Sequence, residues 1–216
     1  MSKNNLVKKN IKFLAKAILR LCFMIFNNES SVKMKNYKNI LYTLWIKNSF
    51  KKCGKEININ SPIYLRGGKY ITIGENFNAD LRLRIEAWDE YEGIKYNPQI
   101  IIGNNVCINS DCHIGCINKI EIGNNVLFAS KVFVEDCNHG EINRFSLDIP
   151  PSKRKLYSKG SITIEDNVWI GEGVAILPDV RIGNNSVIGA NAVVTKSFPP
   201  YSIIGGNPAR LIKTIL

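Results

Sequence analysis

The chain is short of histidine: His113 and His139 are the two imidazoles among 216 residues. A zinc site built on three histidine ligands is therefore excluded, even one shared between identical subunits, and no metal is expected. Six cysteines, at 22, 53, 107, 112, 116 and 137, contain no CxxC pair. Neither a disulfide framework nor a zinc knuckle follows from them, and reduced thiols in a cytoplasm fit best. Cys112 falls on an inward position of the repeat described below, where a small apolar residue packs well.

Acidic residues are scarce at the start. Residues 1–55 hold 13 Lys or Arg and one acid, Glu29, whereas the remainder holds 16 basic and 17 acidic residues. The net charge of +11 thus belongs to one end of the chain, and no nucleic-acid partner is indicated. Long apolar runs are missing too: Ala17 to Phe26 spans ten residues and contains Arg20, against about 20 for a membrane span. No small-x-small cleavage site follows in NNESSVKMKN, so the segment is expected to stay on the chain.

What the segment does contain is LVKKNIKFLAKAILRLCFMIF, with Leu6, Ile11, Leu14, Ile18, Leu21 and Ile25 at helical spacing and Lys8, Lys9, Lys12, Lys16 and Arg20 elsewhere around the helix. This is a basic amphipathic helix. Two readings stand: it packs on its own domain or a neighbouring subunit, or residues 1–30 lie on the anionic inner face of the cell membrane. NYKNILYTLWIKNSFKKC predicts a second helix, so residues 1–55 read as a helical extension of one main domain.

Isoleucine is abundant and periodic. Ile164, Ile170, Ile176, Ile182, Ile188 and Val194 recur every six residues, and four positions after each come Val168, Val174, Val180, Ser186, Ala192 and Phe198. The same phase runs through Ile73, Ala79 and Ile85, then Ile102, Ile108 and Ile114, then Ile122, Phe128 and Val134. The phrase I-x-I-G-x-N opens successive turns at ITIGEN, IIIGNN and IEIGNN, with variants ITIEDN and VRIGNN. Neither helix nor ordinary strand has that period, and self-similarity at a short fixed period marks a solenoid. Each hexad is a short strand plus a corner. One large and one small apolar side chain point into a narrow prism, and Gly and Asn take the corners, where positive φ is cheap. Three hexads, as from 164 to 182, make one turn of 18 residues.

Two excursions break the count. After the hexad at Ile85, extra residues run through YEGIKYNPQ; after Val134 the chain leaves at about Gly140 and returns near Ile162. A loop as long as the second, inside a compact solenoid, is functional or disordered. It carries a basic cluster, Lys153, Arg154 and Lys155, and His139 stands at its start.

The tandem [IV]-G-x-x-[VSA]-x pattern, over about residues 56–210, resembles the hexapeptide repeat of left-handed parallel β-helix acyltransferases. The resemblance implies an all-β solenoid, a left-handed parallel β-helix with a protruding loop at about 140–161, an N-terminal helical extension and a C-terminal tail at 211–216. The hand comes from the resemblance alone, since general topology rules favour right-handed crossovers. Acetyl-CoA as co-substrate is implied as well, with a homotrimer whose sites form between adjacent subunits.

DCNHG, residues 136–140, is similar to the segment that starts the protruding loop in sugar and xenobiotic O-acetyltransferases, which makes His139 the expected general base. An imidazole with a pKa near 6.5 can take the proton of an alcohol as that alcohol attacks a thioester. Asn138 is expected in the inward small-residue slot and near the acceptor. Glu135 and Asp136 point to opposite faces, so at most one of them fixes the imidazole tautomer. Asp111 and His113, one coil earlier, either line the acceptor pocket or form a solvated coil surface.

NVWIGEGV through RLIKTIL resembles the acetyl-CoA-binding end of these enzymes. By that likeness Trp169 walls the pantetheine and acceptor channel, and the backbone around Gly171, Gly189 and Ala190 bonds the pantetheine amides. Thr195, Lys196 and Arg210 stand where the family contacts nucleotide phosphates. Glu172 replaces a small Ser that related enzymes often carry after WIG, which leaves that contact open. A carbonic anhydrase on this fold fails on the histidine count; a non-enzymatic scaffold is disfavoured because the histidine loop and TK…GNPAR are both present. The expected acceptor is a sugar hydroxyl of a surface-polysaccharide precursor, O-antigen or capsule, with a xenobiotic, free sugar, serine or nucleotide-linked amino sugar as alternatives.

Overall fold

A hexad buries its apolar side chains only when coils stack, and the computed structural model shows that stacking. It describes residues 3–215, with the side chains of residue 8 and of 11–215. Leu6 and Lys9 of the amphipathic pattern lie outside the described side chains, and Leu216 outside the described residues. The chain divides into two units, Met1–Leu41 and Tyr42–Leu216.

In the second unit the chain visits three sheets in rotation, each almost wholly parallel. The first sheet holds Lys52–Cys53, Ile71–Ile73, Gln99–Ile102, Lys119–Ile122, Ile162–Ile164 and Arg181–Ile182. The second begins at Asn58–Ile59 and includes Trp169–Ile170 and Val187–Ile188; the third begins at Tyr64–Arg66 and includes Arg84–Ala87, His113–Cys116, Phe133–Glu135 and Val193–Val194. Ile164 stands beside Ile182, Ile170 beside Ile188 and Ile176 beside Val194, so each inward side chain returns 18 residues later. These six side chains, and Ile73, Ile85, Ile102, Ile108, Ile114 and Phe128 before them, are at most 1% exposed. Each contributes about 1.5–3 kcal/mol by leaving water. Ser186 and Ser202 are polar residues of the interior at its C-terminal end, and the Ser186 Oγ accepts the Ser202 N–H at 3.1 Å.

The corners separate the tasks of Asn and Gly. Asn76, Asn105, Asn125, Asn167 and Asn185 have φ between 54° and 58°, and each of the first four donates from Nδ2 to the Oδ1 of the next at 2.9–3.0 Å. Short amide side chains tolerate this left-handed backbone better than other L-residues. The neighbouring glycines do not have positive φ; they allow close approach. A Cβ on Gly103 would lie 2.6 Å from the Gly123 carbonyl oxygen.

The count lengthens by two between Ile114 and Ile122, where Ile117 and Asn118 extend the corner between third and first sheets. The first excursion forms a hairpin, Glu90–Tyr91 against Ile94–Lys95. In the second, Asn138–His139 pairs antiparallel with Leu156–Tyr157, and a short helix, Arg144–Leu147, is capped by Asn143, whose Oδ1 accepts the Ser146 N–H at 2.9 Å.

The N-terminal segment forms α1 (Lys3–Ile25) and α2 (Asn28–Ile46). The helical extension ends earlier than residue 55, because the last turn of α2 belongs to the second unit. There the Ile59 N–H donates to Thr43 Oγ1 at 2.9 Å, and Ile46 and Phe50 are buried. The first coil has no coil beneath it, and this turn covers the open prism. At the other end, most of the expected tail is strand: Arg210–Thr214 pairs antiparallel with Ser202–Gly205 and occupies what would be a free sheet edge.

Candidate active site

On the third sheet the candidate His113 stands in register between Arg84 and Phe133, across three coils. His113 meets the Phe133 ring edge-on at 5.4 Å, and its Nε2 lies 3.1 Å from Glu86 Oε2, which Arg84 also contacts. Glu86 is 1% exposed. Burial first, and then the Arg84 charge, pull the His113 pKa below 6.5, against the opposing pull of Glu86. The ring is therefore neutral near pH 7. Asp111 sits at the preceding corner with φ 63°, clasped by Arg82 at 2.6 and 2.7 Å, and that clasp lowers its pKa.

His139 follows the next strand of the same sheet. Its backbone is held by the pairing with Leu156, and its ring meets Tyr91 of the first excursion edge-on at 5.4 Å. The tyrosine hydroxyl donates to the Ser152 carbonyl at 3.0 Å, and Tyr96 donates to the Leu156 carbonyl at 3.1 Å. Ile117, Cys137 and Leu156 form a small core under Trp88, Tyr91 and Tyr96. The hairpin thus braces the histidine loop. Sequence reasoning passed over this contact, although the aromatic density of WDEYEGIKY was its signal.

Asn138 does not take the inward slot; it is exposed, whereas Asp136 and Cys137 before it are buried. The reason is the longer corner, which needs an acceptor. Asp136, fully buried, accepts the Ile117 and Asn118 N–H groups at 2.8 and 2.9 Å and the Cys116 thiol at 3.2 Å. It is thus committed away from the imidazole. Glu135 instead accepts the Cys137 thiol at 3.7 Å, and burial raises both carboxyl pKa values. Cys112 is buried as expected, its thiol pushed up to about 11 by desolvation.

The cofactor-side candidates gather elsewhere. Trp169 is 53% exposed on the second sheet, between Leu127 and Val187, on a different face from His113. Within one protomer the structure does not bring Trp169 to His139, because a residue's phase in the 18-residue turn fixes its face. Gly171 and Ala190 do meet: a Cβ on Gly171 would lie 2.6 Å from the Ala190 nitrogen. The N–H groups of Gly171 and Gly189 are already used, donating to Ile188 and Ile204 carbonyls at 2.8 Å. Of the three expected amide donors, Ala190 is the one outside that ladder. Thr195 and Lys196 are exposed where the third sheet ends, and the Ala209 N–H donates to the Val193 carbonyl at 2.8 Å. That bond sets Arg210, also exposed, next in sequence to a residue bonded two positions before Thr195.

Stacked isoleucine hexads around three parallel sheets, with a histidine-bearing excursion, define a hexapeptide-repeat acyltransferase. The chain belongs to that family. The model of the bacterial transferase hexapeptide, six repeats, matches residues 161–196. A protein of Escherichia coli K12 provisionally named a lipopolysaccharide biosynthesis O-acetyl transferase is 40% identical over 159 residues, 72% of this chain and 77% of that one. Among solved structures, a maltose O-acetyltransferase of Clostridium difficile 630 is 32% identical with a TM-score of 0.55, covering 88% of this chain and 90% of the other. A galactoside acetyltransferase in complex with coenzyme A is 32% identical with a TM-score of 0.51, covering 79% and 68%.

Proposed function

We propose that this enzyme transfers acetyl from acetyl-CoA to a sugar hydroxyl of a surface-polysaccharide precursor, with His139 as general base, on a coil wound left-handed as in its family. The observation that carries the reading is the exposed His139, held at the root of the long excursion by the Leu156 pairing and the Tyr91 ring. Acetyl-CoA, when bound, supplies a thioester as acyl donor. His139 takes the hydroxyl proton while the oxygen bonds to the acyl carbon, and returns it to the leaving sulfur as the C–S bond breaks. Ala190 N–H, Trp169, Thr195, Lys196 and Arg210 hold the donor. Gly171 serves by letting the chain at Ala190 approach closely.

Since Trp169 and His139 lie on different faces of one protomer, the complete site forms between subunits of a homotrimer, one supplying the imidazole and another the donor wall. Asp111, His113 and Asn138 face the acceptor, Asp111 as an anion and His113 as a neutral ring. The polysaccharide acceptor rests on the name of the 40% identical relative. A small sugar acceptor is the second reading, favoured by the galactoside and maltose enzymes among the solved structures.

The test is calorimetry of acetyl-CoA binding beside thiol release on a panel of sugar acceptors. Binding should survive His139→Ala and weaken with Arg210→Ala, while turnover with His139→Ala falls about 10²–10⁴-fold. A chain that binds neither acetyl-CoA nor CoA would overturn the proposal and leave an assembly scaffold.

A further inference from the structure

The transfer chemistry leaves the first unit without a task, and its surface is unlike that of a protein resting in water. In α1, Ile11, Leu14, Ile18, Leu21 and Ile25 are each at least 54% exposed, and α2 adds exposed Leu41. Lone exposed apolar residues need no explanation, but contiguous apolar surface marks a binding face. Lys8, Lys12, Lys16 and Arg20 share the helix with this surface, and α1 has no acidic residue.

Two occupants compete for such a helix. The five apolar positions alternate spacings of three and four, with Ile and Leu in alternation, as in the seam of a coiled coil between copies of the chain. A coiled-coil seam, however, uses about two positions in seven. It would leave Phe23, Met24 and Phe26, each more than 60% exposed on turns beyond Arg20 that carry no cation, still in water. It would also set cationic helices side by side without a carboxylate to pair with. An anionic bilayer surface accommodates both features. Acyl chains take the wide apolar face and the C-terminal turns around Phe23 and Phe26, while lipid phosphates meet the lysines. No helix among the described residues is long and apolar enough to cross a membrane, which leaves α1 in the interface plane.

We infer that α1 is a peripheral membrane anchor whose partner is an anionic phospholipid surface. The full chain should sediment with vesicles of phosphatidylcholine and phosphatidylglycerol, and much less with phosphatidylcholine alone. Salt should weaken that binding. Charge reversal by Lys12→Glu with Lys16→Glu should lower the partition coefficient by at least about 25-fold, from about fivefold per cation lost. Phe23→Ser with Phe26→Ser should reduce binding at every salt concentration and leave the oligomer's mass by light scattering unchanged. Failure of the wild-type chain to sediment with anionic vesicles would overturn the inference. So would a phenylalanine pair variant that binds as wild type while Ile18→Asn with Leu21→Asn lowers the oligomer's mass, the result that a coiled coil predicts. Acetyl transfer to a soluble acceptor does not enter these readouts, so they stand or fall apart from the proposed reaction.

Discussion

Asp136 offers the sharpest test of how the histidine loop is held. Its carboxylate is the acceptor for the Ile117 and Asn118 N–H groups at 2.8 and 2.9 Å, and Ile117 is 4% exposed. Asp136→Ala leaves the buried Ile117 N–H without a partner, while the Asn118 N–H, on an exposed residue, can turn to water. The enclosed donor costs about 1–3 kcal/mol, set against a total stability of about 5–15 kcal/mol. Asp136→Asn keeps one acceptor oxygen but turns an NH₂ toward the second donor, and should cost about half as much. The assay is urea unfolding, with the midpoint falling at unchanged slope. The pH dependence supplies a second readout. Burial raises the folded carboxyl pKa above its ordinary 3.8, so this group's favourable contribution is present below 3.8 and is lost as pH rises through the folded value. The gap between wild type and Asp136→Asn should therefore narrow as pH rises from 3.8. An Asp136→Ala midpoint equal to wild type would refute the reasoning.

Three further outcomes follow from other contacts. Tyr91→Ala removes the bond to the Ser152 carbonyl and the edge contact on His139; turnover should fall about tenfold with acetyl-CoA affinity unchanged, and equal turnover would show that the hairpin does not position His139 for the proposed step. Asn125→Ala should cost about 2–3 kcal/mol, combining left-handed strain with two lost ladder bonds, whereas Asn125→Gly should cost about 1 kcal/mol; the reverse order of melting temperatures would refute the corner argument. His113, whose folded pKa lies below 6.5, stabilises above that value, and this contribution is lost as pH falls from 6.5 through the lower folded value. His113→Gln should flatten the stability curve across that window, measured by denaturant midpoints at successive pH values.

The coil was legible in the chain because a prism with one inward isoleucine per hexad imposes a period that no other element shares. The corner asparagines were legible for a similar local reason, since few residues adopt left-handed φ cheaply. Two excursions and the root of the longer one, with His139, could be placed from where that period failed. The neighbours of His139 could not, because they are set by contacts between segments far apart in the chain. Tyr91 reaches it across 48 residues, a pairing with no periodicity to betray it. Asp136 faces inward, and Asn138 outward, because a corner two residues longer supplied two amides that needed an acceptor. The separation of Trp169 from His139 was likewise a matter of which face each hexad turned outward, decided by winding and stacking. Sequence by itself determined the period, the corners and the positions of the interruptions, which depend on local sterics and burial. Tertiary structure decided which interruptions meet and which buried donors find acceptors, because those are properties of distances between coils.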